Sequence, residues 1–109
     1  MTARAELRRR LRDRRCALTR AERSVCARRV ARQVAATRWF RASRHIACYL
    51  PHDGELSPLP LLQRARTLRK TCYLPVLHNA RLLFAPYRAG DALVYNRYGI
   101  LEPACRARR

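Results

Sequence analysis

The side chains best suited to chemistry lie in one short segment, Pro51-His52-Asp53-Gly54-Glu55, which holds two carboxylates, an imidazole and a glycine. It follows an apolar run over residues 45–50 that is typical of a buried strand. In an open parallel sheet, ligands bind beyond the carboxyl ends of the strands. The segment is therefore a candidate ligand loop.

Two side chains of this loop have competing interpretations. Glu55 is suited either to a ligand contact or to stabilising the N-terminus of the helix expected next, and the pattern alone does not separate the two. His52 has the side chain of a general base, but no nucleophile is evident beside it, so we do not expect it to have that role. The sequence contains no GxGxxG, GxxxxGK[ST], HExxH or GxSxG motif, so motifs alone indicate only a basic α/β domain.

Five cysteines are spread along the chain without a CxxC pair: Cys16, Cys26, Cys48, Cys72 and Cys105. Because no secretory signal is visible before them, they are interpreted as reduced thiols of a cytoplasmic protein. None of the three histidines lies at ligand spacing from a cysteine pair. We therefore expect no metal site built on cysteine and histidine.

The 109-residue chain is strongly basic, with 25 Lys and Arg against 7 Asp and Glu and a formal net charge of +18. All but one of these cations are arginines, and 15 of them lie in residues 1–44. A basic helical segment can bind RNA, DNA or anionic lipid, yet a solvated helix face is the commoner explanation and we favour it. No apolar run approaches the roughly 18 residues of a membrane span, so none is expected.

Two helices are predicted in the basic segment. The first covers residues 3–16 and carries only a narrow apolar stripe. Thr19 and Glu22 form a capping-box pattern, so the second helix is expected over residues 20–37. The side chains predicted to be buried on this helix and just after it are Val25, Cys26, Val30, Val34, Trp39 and Phe40.

The hydrophobic pattern then changes to that of a βαβ unit. The run over residues 45–50 predicts a strand covered on both faces. After a turn, Ser57 is a plausible N-cap and Pro58 suits the first helical position, so a helix is expected up to about Arg69. Residues 71–76 return to strand character, which implies a parallel strand pair joined by the helix.

The rest of the chain completes the expected organisation. A turn at residues 78–80 leads into a strand at 82–87, and residues 94–109 show no clear periodicity. We therefore expect a single incomplete α/β domain, with a basic helical segment (1–44) followed by a βαβ segment, an added strand and an irregular tail (45–109). So few strands leave open edges, which indicates part of a larger sheet.

Several short motifs occur in a definite order. They are RAELRRRLR at 4–12, ALT and ER within 17–23, IACYLP and DGE within 46–55, FAPY and GD within 84–91, and NRYGILEP at 96–103. Each motif alone is weak, but the ordered series closely resembles the 5-formyltetrahydrofolate cyclo-ligase family, also called 5,10-methenyltetrahydrofolate synthetases. The resemblance covers the whole chain. It implies the N-terminal part of a NagB/RpiA/CoA-transferase-like three-layer fold.

The resemblance also implies an activity. It points to a cytoplasmic ligase of one-carbon folate metabolism that uses ATP and Mg²⁺ to close 5-formyltetrahydrofolate to 5,10-methenyltetrahydrofolate. In the implied reaction the formyl oxygen is phosphorylated, the N10 nitrogen attacks, and phosphate leaves. Such catalysis depends on positioning and on cations that neutralise phosphoryl charge. The implied partners are the folate and ATP, with neither a membrane nor a nucleic acid.

The family's contact residues can be carried over to matching positions. Its ATP-contacting segment, Lys-x-x-x-Arg, falls on Arg4, Ala5, Glu6, Leu7 and Arg8. The two arginines are four residues apart on one helix face, so both can reach one phosphate group. The family's substrate contacts fall on Leu50 and Glu55, in the loop that the sheet rule selects independently, which favours a folate contact for Glu55. Tyr98 is interpreted either as stacking near the pteridine or as ordinary packing.

The sequence departs from the family pattern at two points. Arg4 stands where the family usually has lysine, which keeps the charge but changes the contact geometry. The Gly-rich segment before Tyr-Tyr-Asp, which in the family holds nucleotide phosphate and leads to the metal-binding acid, is absent from these 109 residues. We therefore expect an N-terminal portion that has no metal ligands and is inactive alone. The alternatives are a small basic nucleic-acid-binding protein and a non-catalytic remnant.

Overall fold

The computed structural model of the protein describes residues 2–104. Its elements, in chain order, are α1 (Ala3–Cys16), α2 (Arg20–Ala35), α3 (Arg38–Ala42), β1 (His45–Ala47), α4 (Leu59–Thr67), β2 (Thr71–His78), β3 (Arg81–Pro86), β4 (Leu93–Tyr95) and β5 (Leu101–Pro103). The α/β class is therefore confirmed. The basic C-terminal residues 105–109, including Cys105, lie outside the described range.

The first two helices begin where their capping residues predict. Thr2 accepts a hydrogen bond from the backbone N–H of Ala5 (3.1 Å) at the start of α1. At the start of α2, the Thr19 hydroxyl accepts from the N–H of Glu22 (3.1 Å), and the Glu22 carboxylate accepts from the N–H of Thr19 (2.8 Å). The predicted capping box is confirmed, so two N–H groups that a helix start leaves without partners are satisfied here.

The βαβ unit is also confirmed. Strands β1 and β2 pair in parallel, with His45 opposite Thr71, and α4 connects them. Strand β3 then pairs antiparallel with β2 through a two-residue turn, in which Asn79 and Ala80 both have positive φ (+47° and +64°). Turns with two positive φ values match the twist of a hairpin. The three strands form one sheet in the order β1-β2-β3.

The hydrophobic core lies between the helices and one face of this sheet. Strand β2 alternates, and its buried side chains Cys72, Leu74 and Val76 share the face that α4 covers. The central cluster consists of Phe40, Leu62, Ala65 and Cys72, with Val34, Ala35, Ile46, Cys48 and Leu61 packed against it. The opposite face carries the exposed side chains of Leu82 and Phe84.

Helix α4 is shorter than predicted at both ends. Pro58 occupies the N-cap position instead of the first helical position, and the Ser57 hydroxyl accepts from the N–H of Leu59 (3.2 Å). The helix ends at Thr67, and Arg69 then adopts a left-handed conformation with φ of +60°. Such a residue is a common way to end a helix and to satisfy its last carbonyls.

The predicted buried face of α2 is wrong. The buried residues are Ala27 and Ala31, whereas Val25 is 41% exposed and both Cys26 and Val30 are exposed as well. Helix α2 packs mainly on α4, and alanine side chains let two helices approach closely at their contact. Of the four predicted positions only Val34 packs partly against the core.

The two consecutive aromatic residues of α3 have opposite environments. Phe40 is 4% exposed in the core, as predicted, but Trp39 is 80% exposed and its prediction as a core aromatic is wrong. Neighbouring residues of a helix point about 100° apart, so only one of the two can face the sheet.

Strand β1 is less covered than its apolar sequence predicts. Its regular pairing ends at Ala47, although the N–H of Cys48 still donates to the carbonyl of Tyr73 (2.9 Å). Within residues 2–104 it is an edge strand, and Ile46 is its only residue that is not exposed. The expectation of a strand covered on both faces is therefore not met by the described part of the chain.

The tail that was expected to be irregular contains a second small sheet. Strands β4 and β5 pair antiparallel, with Tyr95 opposite Leu101. The Glu102 carboxylate accepts a hydrogen bond from the backbone N–H of Leu77 (3.0 Å), which fixes β5 to the end of β2. Three-residue strands are too short to produce a readable alternation, so periodicity did not reveal them.

The capping box of α2 makes stability depend on pH. The pKa of Glu22 lies below its ordinary value of 4.5, because the backbone N–H and then the side chain of Thr19 bond its carboxylate. This stabilisation is present above the ordinary pKa and is lost as the pH falls through the lowered one. We expect Glu22→Ala to lower the free energy of unfolding at neutral pH and the deficit to shrink in strong acid.

Urea unfolding, followed by circular dichroism at neutral pH and in strong acid, measures this loss in the free energy of unfolding. The matched control is Glu6→Ala, since Glu6 also lies in the first turn of its helix but its carboxylate has no hydrogen-bond partner among residues 2–104. A deficit for Glu22→Ala that is equal at both pH values would contradict the role given to its carboxylate.

Candidate functional site

The loop after β1 is closed by its own hydrogen bonds. The Glu55 carboxylate accepts from the backbone N–H of His52 (3.0 Å), and the N–H of Glu55 donates to the carbonyl of His52 (3.2 Å). The Tyr49 hydroxyl donates to the carbonyl of Leu56 and joins the two ends of the loop. Because α4 begins only at Leu59, Glu55 stabilises its own loop and not the helix N-terminus.

Side chains at the end of helix α1 contact this loop. The Asp53 carboxylate lies 3.5 Å from Nε of Arg12 and 3.9 Å from Nη2 of Arg15. The Asp53 carbonyl accepts hydrogen bonds from Nε of Arg15 (3.1 Å) and from the Cys16 thiol (3.5 Å). The two hydrogen bonds join residues that are 38 and 37 positions apart. We refer to the contact of Asp53 and Gly54 with the last turn of α1 as the loop–helix contact.

Gly54 makes the loop–helix contact sterically feasible. Its φ is +75°, and a Cβ atom at this position would lie 2.9 Å from Sγ and 3.3 Å from Cα of Cys16. Real Cβ atoms do not approach other heavy atoms as closely as 2.9 Å, so only glycine fits without movement. Asp53 also has positive φ (+56°), a conformation that aspartate adopts more readily than most residues.

The start of the loop lines a small cavity together with the β4–β5 hairpin. The cavity measures about 180 Å³, and its lining residues are Leu50, Pro51, His52, Tyr95, Gly99, Ile100 and Leu101. Small-molecule sites usually measure about 300–1,000 Å³, so this cavity has the size of part of such a site. The structure thus brings Leu50 and His52 close to the block that contains Tyr98, although the two lie more than forty residues apart in the sequence.

Asn96 shapes the hairpin side of this cavity. Its side-chain oxygen accepts hydrogen bonds from the backbone N–H groups of Tyr98 (2.9 Å) and Ile100 (3.1 Å). Tyr98 itself is 63% exposed, next to the cavity-lining Gly99, and the Arg97 guanidinium lies 5.4 Å from the centre of its ring. The ring is therefore available at the rim and is not packed in the core.

The segment that carries Arg4 and Arg8 is exposed on the first half of α1. Within residues 2–104, neither guanidinium has a hydrogen-bond or ion-pair partner. No hydrogen bond or ion pair in the described part of the chain joins this segment to Leu50 or Glu55. Arg8 lies one turn before Arg12, about 6 Å along the helix axis, so the loop–helix contact fixes where the segment stands relative to the loop.

The phenol of Tyr49 and the thiols of Cys48 and Cys72 keep their protons at neutral pH. Burial raises the pKa of Tyr49, and the carboxylate of Glu55 raises it further, so the phenol keeps the proton that it donates to Leu56. Burial also raises the pKa values of Cys48 and Cys72. Buried thiols of this kind are chemically inert. The structure records free cysteines at positions 16, 26, 48 and 72.

The described residues offer no ready cation site. Among residues 2–104, no three His, Cys, Asp or Glu side chains come together in a group that could hold a metal ion. No helix in this range is both long and apolar enough to cross a bilayer.

Sequence reasoning missed the residues that hold the loop in place. Asp53 and Gly54 were predicted as part of the ligand loop and as a turn, but their contact with α1 was not predicted, and Arg15 and Cys16 were given no role there. The available signals were the Asp-Gly pair, which is typical of turns with positive φ, and the spacing of Arg12 and Arg15 on one helix face. Neither signal indicates which element the turn contacts.

Comparisons with known proteins give a consistent family. The sequence profile of the 5-formyltetrahydrofolate cyclo-ligase family matches residues 1–109. The chain is similar to the 5-formyltetrahydrofolate cyclo-ligase of Haemophilus influenzae (39% identical over 66 residues, 58% of this chain and 35% of that protein). It is also similar to that of Escherichia coli K12 (43% identical over 61 residues, 53% of this chain and 34% of that protein).

Two solved structures share the fold. The 5,10-methenyltetrahydrofolate synthetase of Aquifex aeolicus matches with a TM-score of 0.82 and 24% identity, over 99% of this chain and 55% of that chain. The synthetase of Mycoplasma pneumoniae matches with a TM-score of 0.67 and 17% identity, over 79% of this chain and 54% of that chain. The match thus spans about half the length of the solved relatives and about a third of the curated ones.

The loop–helix contact predicts an unequal effect of two glycine substitutions. Gly54 and Gly90 both have positive φ (+75° and +87°), so alanine introduces backbone strain of about 1–2 kcal/mol at either position. Only at Gly54 would the new Cβ meet other atoms, since nothing lies within 4 Å at Gly90. We expect Gly54→Ala to lower the free energy of unfolding clearly more than Gly90→Ala in urea titrations. Equal losses would show that the loop does not rest on α1.

Proposed function

The chain belongs to the 5-formyltetrahydrofolate cyclo-ligase family, and on that premise we propose that it serves the ATP-dependent conversion of 5-formyltetrahydrofolate to 5,10-methenyltetrahydrofolate. The observation that carries the proposal is the shared cavity of the Leu50 loop and the β4–β5 hairpin, beside a loop held by the arginine-rich α1. We also infer that the elements form the N-terminal part of a NagB/RpiA/CoA-transferase-like fold. Helices packed over a sheet with a parallel strand pair support this inference.

The proposed nucleotide contact is the segment Arg4, Ala5, Glu6, Leu7 and Arg8. Its two guanidinium groups are exposed, lie one helical turn apart and have no anionic partner within residues 2–104. Guanidinium groups bind phosphate oxygens through paired hydrogen bonds, so these side chains fit a triphosphate. Their role is to bind ATP and to orient its phosphates towards the loop.

The proposed folate contacts are Leu50 and Glu55, with Tyr98 at the rim. Leu50 lines the cavity, which gives an apolar contact for a ring system. One carboxylate oxygen of Glu55 holds the loop through His52, and the other has no hydrogen-bond partner within the described range. A carboxylate fixed in this way can accept a hydrogen bond from an N–H group of a pteridine. The exposed Tyr98 ring can stack on the same ligand.

The chemistry of the reaction depends mainly on positioning. ATP supplies the phosphoryl group for the formyl oxygen, and Mg²⁺ neutralises phosphate charge when it is bound. The chain's own contribution would be to hold the folate at the loop and the triphosphate at α1 in a fixed relation. Residues 2–104 contain no cluster of metal ligands, and the sequence has no Tyr-Tyr-Asp motif. We therefore propose that these 109 residues bind both substrates without turning them over alone.

We further propose that the reaction takes place in the cytoplasm. The free cysteines support this, because reduced thiols are typical of that compartment.

The proposed nucleotide contact predicts a selective loss of ATP binding. Arg8→Ala is expected to weaken ATP binding about tenfold or more, since each hydrogen bond to a charged group contributes about 1.5–3 kcal/mol. Binding of 5-formyltetrahydrofolate should change little. Arg10→Ala is the matched control, because Arg10 is exposed on another side of α1. Calorimetric titrations with each ligand in the presence of Mg²⁺ measure both affinities.

The outcomes of this experiment separate the proposed roles. An equal loss of affinity for both ligands in Arg8→Ala would indicate a structural role for Arg8. Absence of binding of either ligand by the unaltered chain would contradict the proposed function. A turnover assay of the unaltered chain with ATP and Mg²⁺ tests the expected inactivity, which formation of 5,10-methenyltetrahydrofolate would overturn.

The uncompensated positive charge supports nucleic-acid binding as a second candidate function. Only two ion pairs occur within residues 2–104, and both use Asp53, so most arginines have no acidic partner there. In a salt titration with RNA and DNA, this candidate predicts an affinity that falls steeply with ionic strength. Absence of binding near physiological salt removes it.

A further inference from the structure

A second cavity lies at the opposite ends of the strands from the candidate site. It measures about 290 Å³ and is found where β2 begins and β3 ends. Its polar lining residues are Arg66, Arg69, Lys70, Thr71, Tyr87 and Arg88. Since β1 and β2 are parallel, the Leu50 loop leaves the carboxyl edge of the sheet while this cavity sits at the amino edge of β2. The two sites are therefore separate, and we call this one the amino-edge cavity.

The amino-edge cavity gathers positive charge without a matching acid. Four of its lining residues are cations and none is acidic. Lys70 is already engaged, because its ammonium donates to the carbonyls of Ser43 (2.6 Å) and Arg41 (3.3 Å). Within residues 2–104, the guanidinium groups of Arg66, Arg69 and Arg88 form no ion pair. Like charges that line one cavity repel one another unless an anion lies between them.

A lining residue of this cavity also carries a buried donor without a partner within residues 2–104. The Nε atom of Arg66 is buried and has no hydrogen-bond partner among the described residues. Buried donors are almost always paired in native proteins, so an unpaired one needs an explanation. Thr71 and Tyr87 also line the cavity, and their hydroxyl groups form no hydrogen bond within residues 2–104.

Another arginine-lined cavity, between α2 and α4, has no buried donor without a partner within residues 2–104. It measures about 320 Å³ and is lined by Arg28, Arg32 and Arg64 together with Ala31 and Pro60. The guanidinium of Arg28 donates to the Ser24 hydroxyl (2.9 Å). Within the described range, none of its lining side chains has a buried nitrogen or oxygen without a partner. Positive charge alone is common on this protein, and the unpaired buried donor is what distinguishes the amino-edge cavity.

We propose that the amino-edge cavity binds the phosphate group of a small anion. A phosphate dianion accepts several hydrogen bonds at once and pairs with the planar fork of a guanidinium. It would pair with the guanidinium groups of Arg66, Arg69 and Arg88, accept from the Thr71 hydroxyl and relieve the repulsion among the arginines. The cavity is at the lower limit of the usual size of small-molecule sites, about 300 Å³, which suits a phosphate with a small substituent.

The test is a titration of the full 109-residue chain, followed by the backbone amide signals in NMR spectra. Inorganic phosphate and glycerol phosphate are titrated separately, so that free phosphate is distinguished from a phosphomonoester. We expect saturable shifts at residues 66–72, 87 and 88 with at least one of the two. Arg66→Gln should weaken this binding about tenfold or more, because it removes charge-assisted hydrogen bonds. Arg88→Gln tests the same site from the exposed rim, should the buried substitution prevent folding.

The matched control is Arg29→Gln. Arg29 is exposed on α2 and its side chain has no hydrogen-bond partner within residues 2–104, so its replacement removes the same charge outside the amino-edge cavity. Binding that is unchanged in this control supports the proposal. An equal weakening in Arg29→Gln, shifts confined to residues 4–8, or no saturable shift in the unaltered chain would overturn it.

Discussion

The close approach of Gly54 to Cys16 is the constraint on which the candidate site depends. Helix α1 has no buried residue of its own, so its position is set by polar contacts at its last turn. Asp53 bonds this turn from one side, and the Arg23 guanidinium donates to the Cys16 carbonyl (2.9 Å) from the other. The same contacts hold the loop that follows β1. A shift of the loop that carries Leu50 and Glu55 would therefore also move α1, which carries Arg4 and Arg8.

Part of the large positive charge has a structural role. Arg15, Arg23 and Lys70 each donate to backbone carbonyls at a helix end or a turn, which satisfies acceptors that would otherwise lack partners. Cations near the carboxyl ends of helices also interact favourably with the helix dipole. Such arginines are not available to an external ligand. This distinction separates the arginines of the loop–helix contact from Arg4 and Arg8, which remain exposed and unpaired within residues 2–104.

The features of the fold that depend on local sequence signals were predicted correctly. The capping box, the turn at Asp53 and Gly54 and the parallel strand pair are present, because each depends on neighbouring residues or on a connection rule. The rule that ligands bind beyond strand ends selected the loop that contains Leu50, and ligand binding by this loop stays a prediction. Prediction failed where the structure depends on a distant element. Helix α2 packs on α4 through Ala27 and Ala31 instead of its valines. The loop–helix contact joins residues that are 38 positions apart, which no local pattern indicates.

The chain contains a single side-chain amine, that of Lys70, and this amine joins α3 to the start of β2. Its ammonium donates to the Ser43 carbonyl and lies 5.0 Å from the centre of the Phe40 ring. An acylating reagent at this side chain would remove the charge and two of the three donor hydrogens. Covalent labelling of amines followed by mass spectrometry would thus report on one defined joint of the fold, without the overlapping signals that many lysines produce in most proteins.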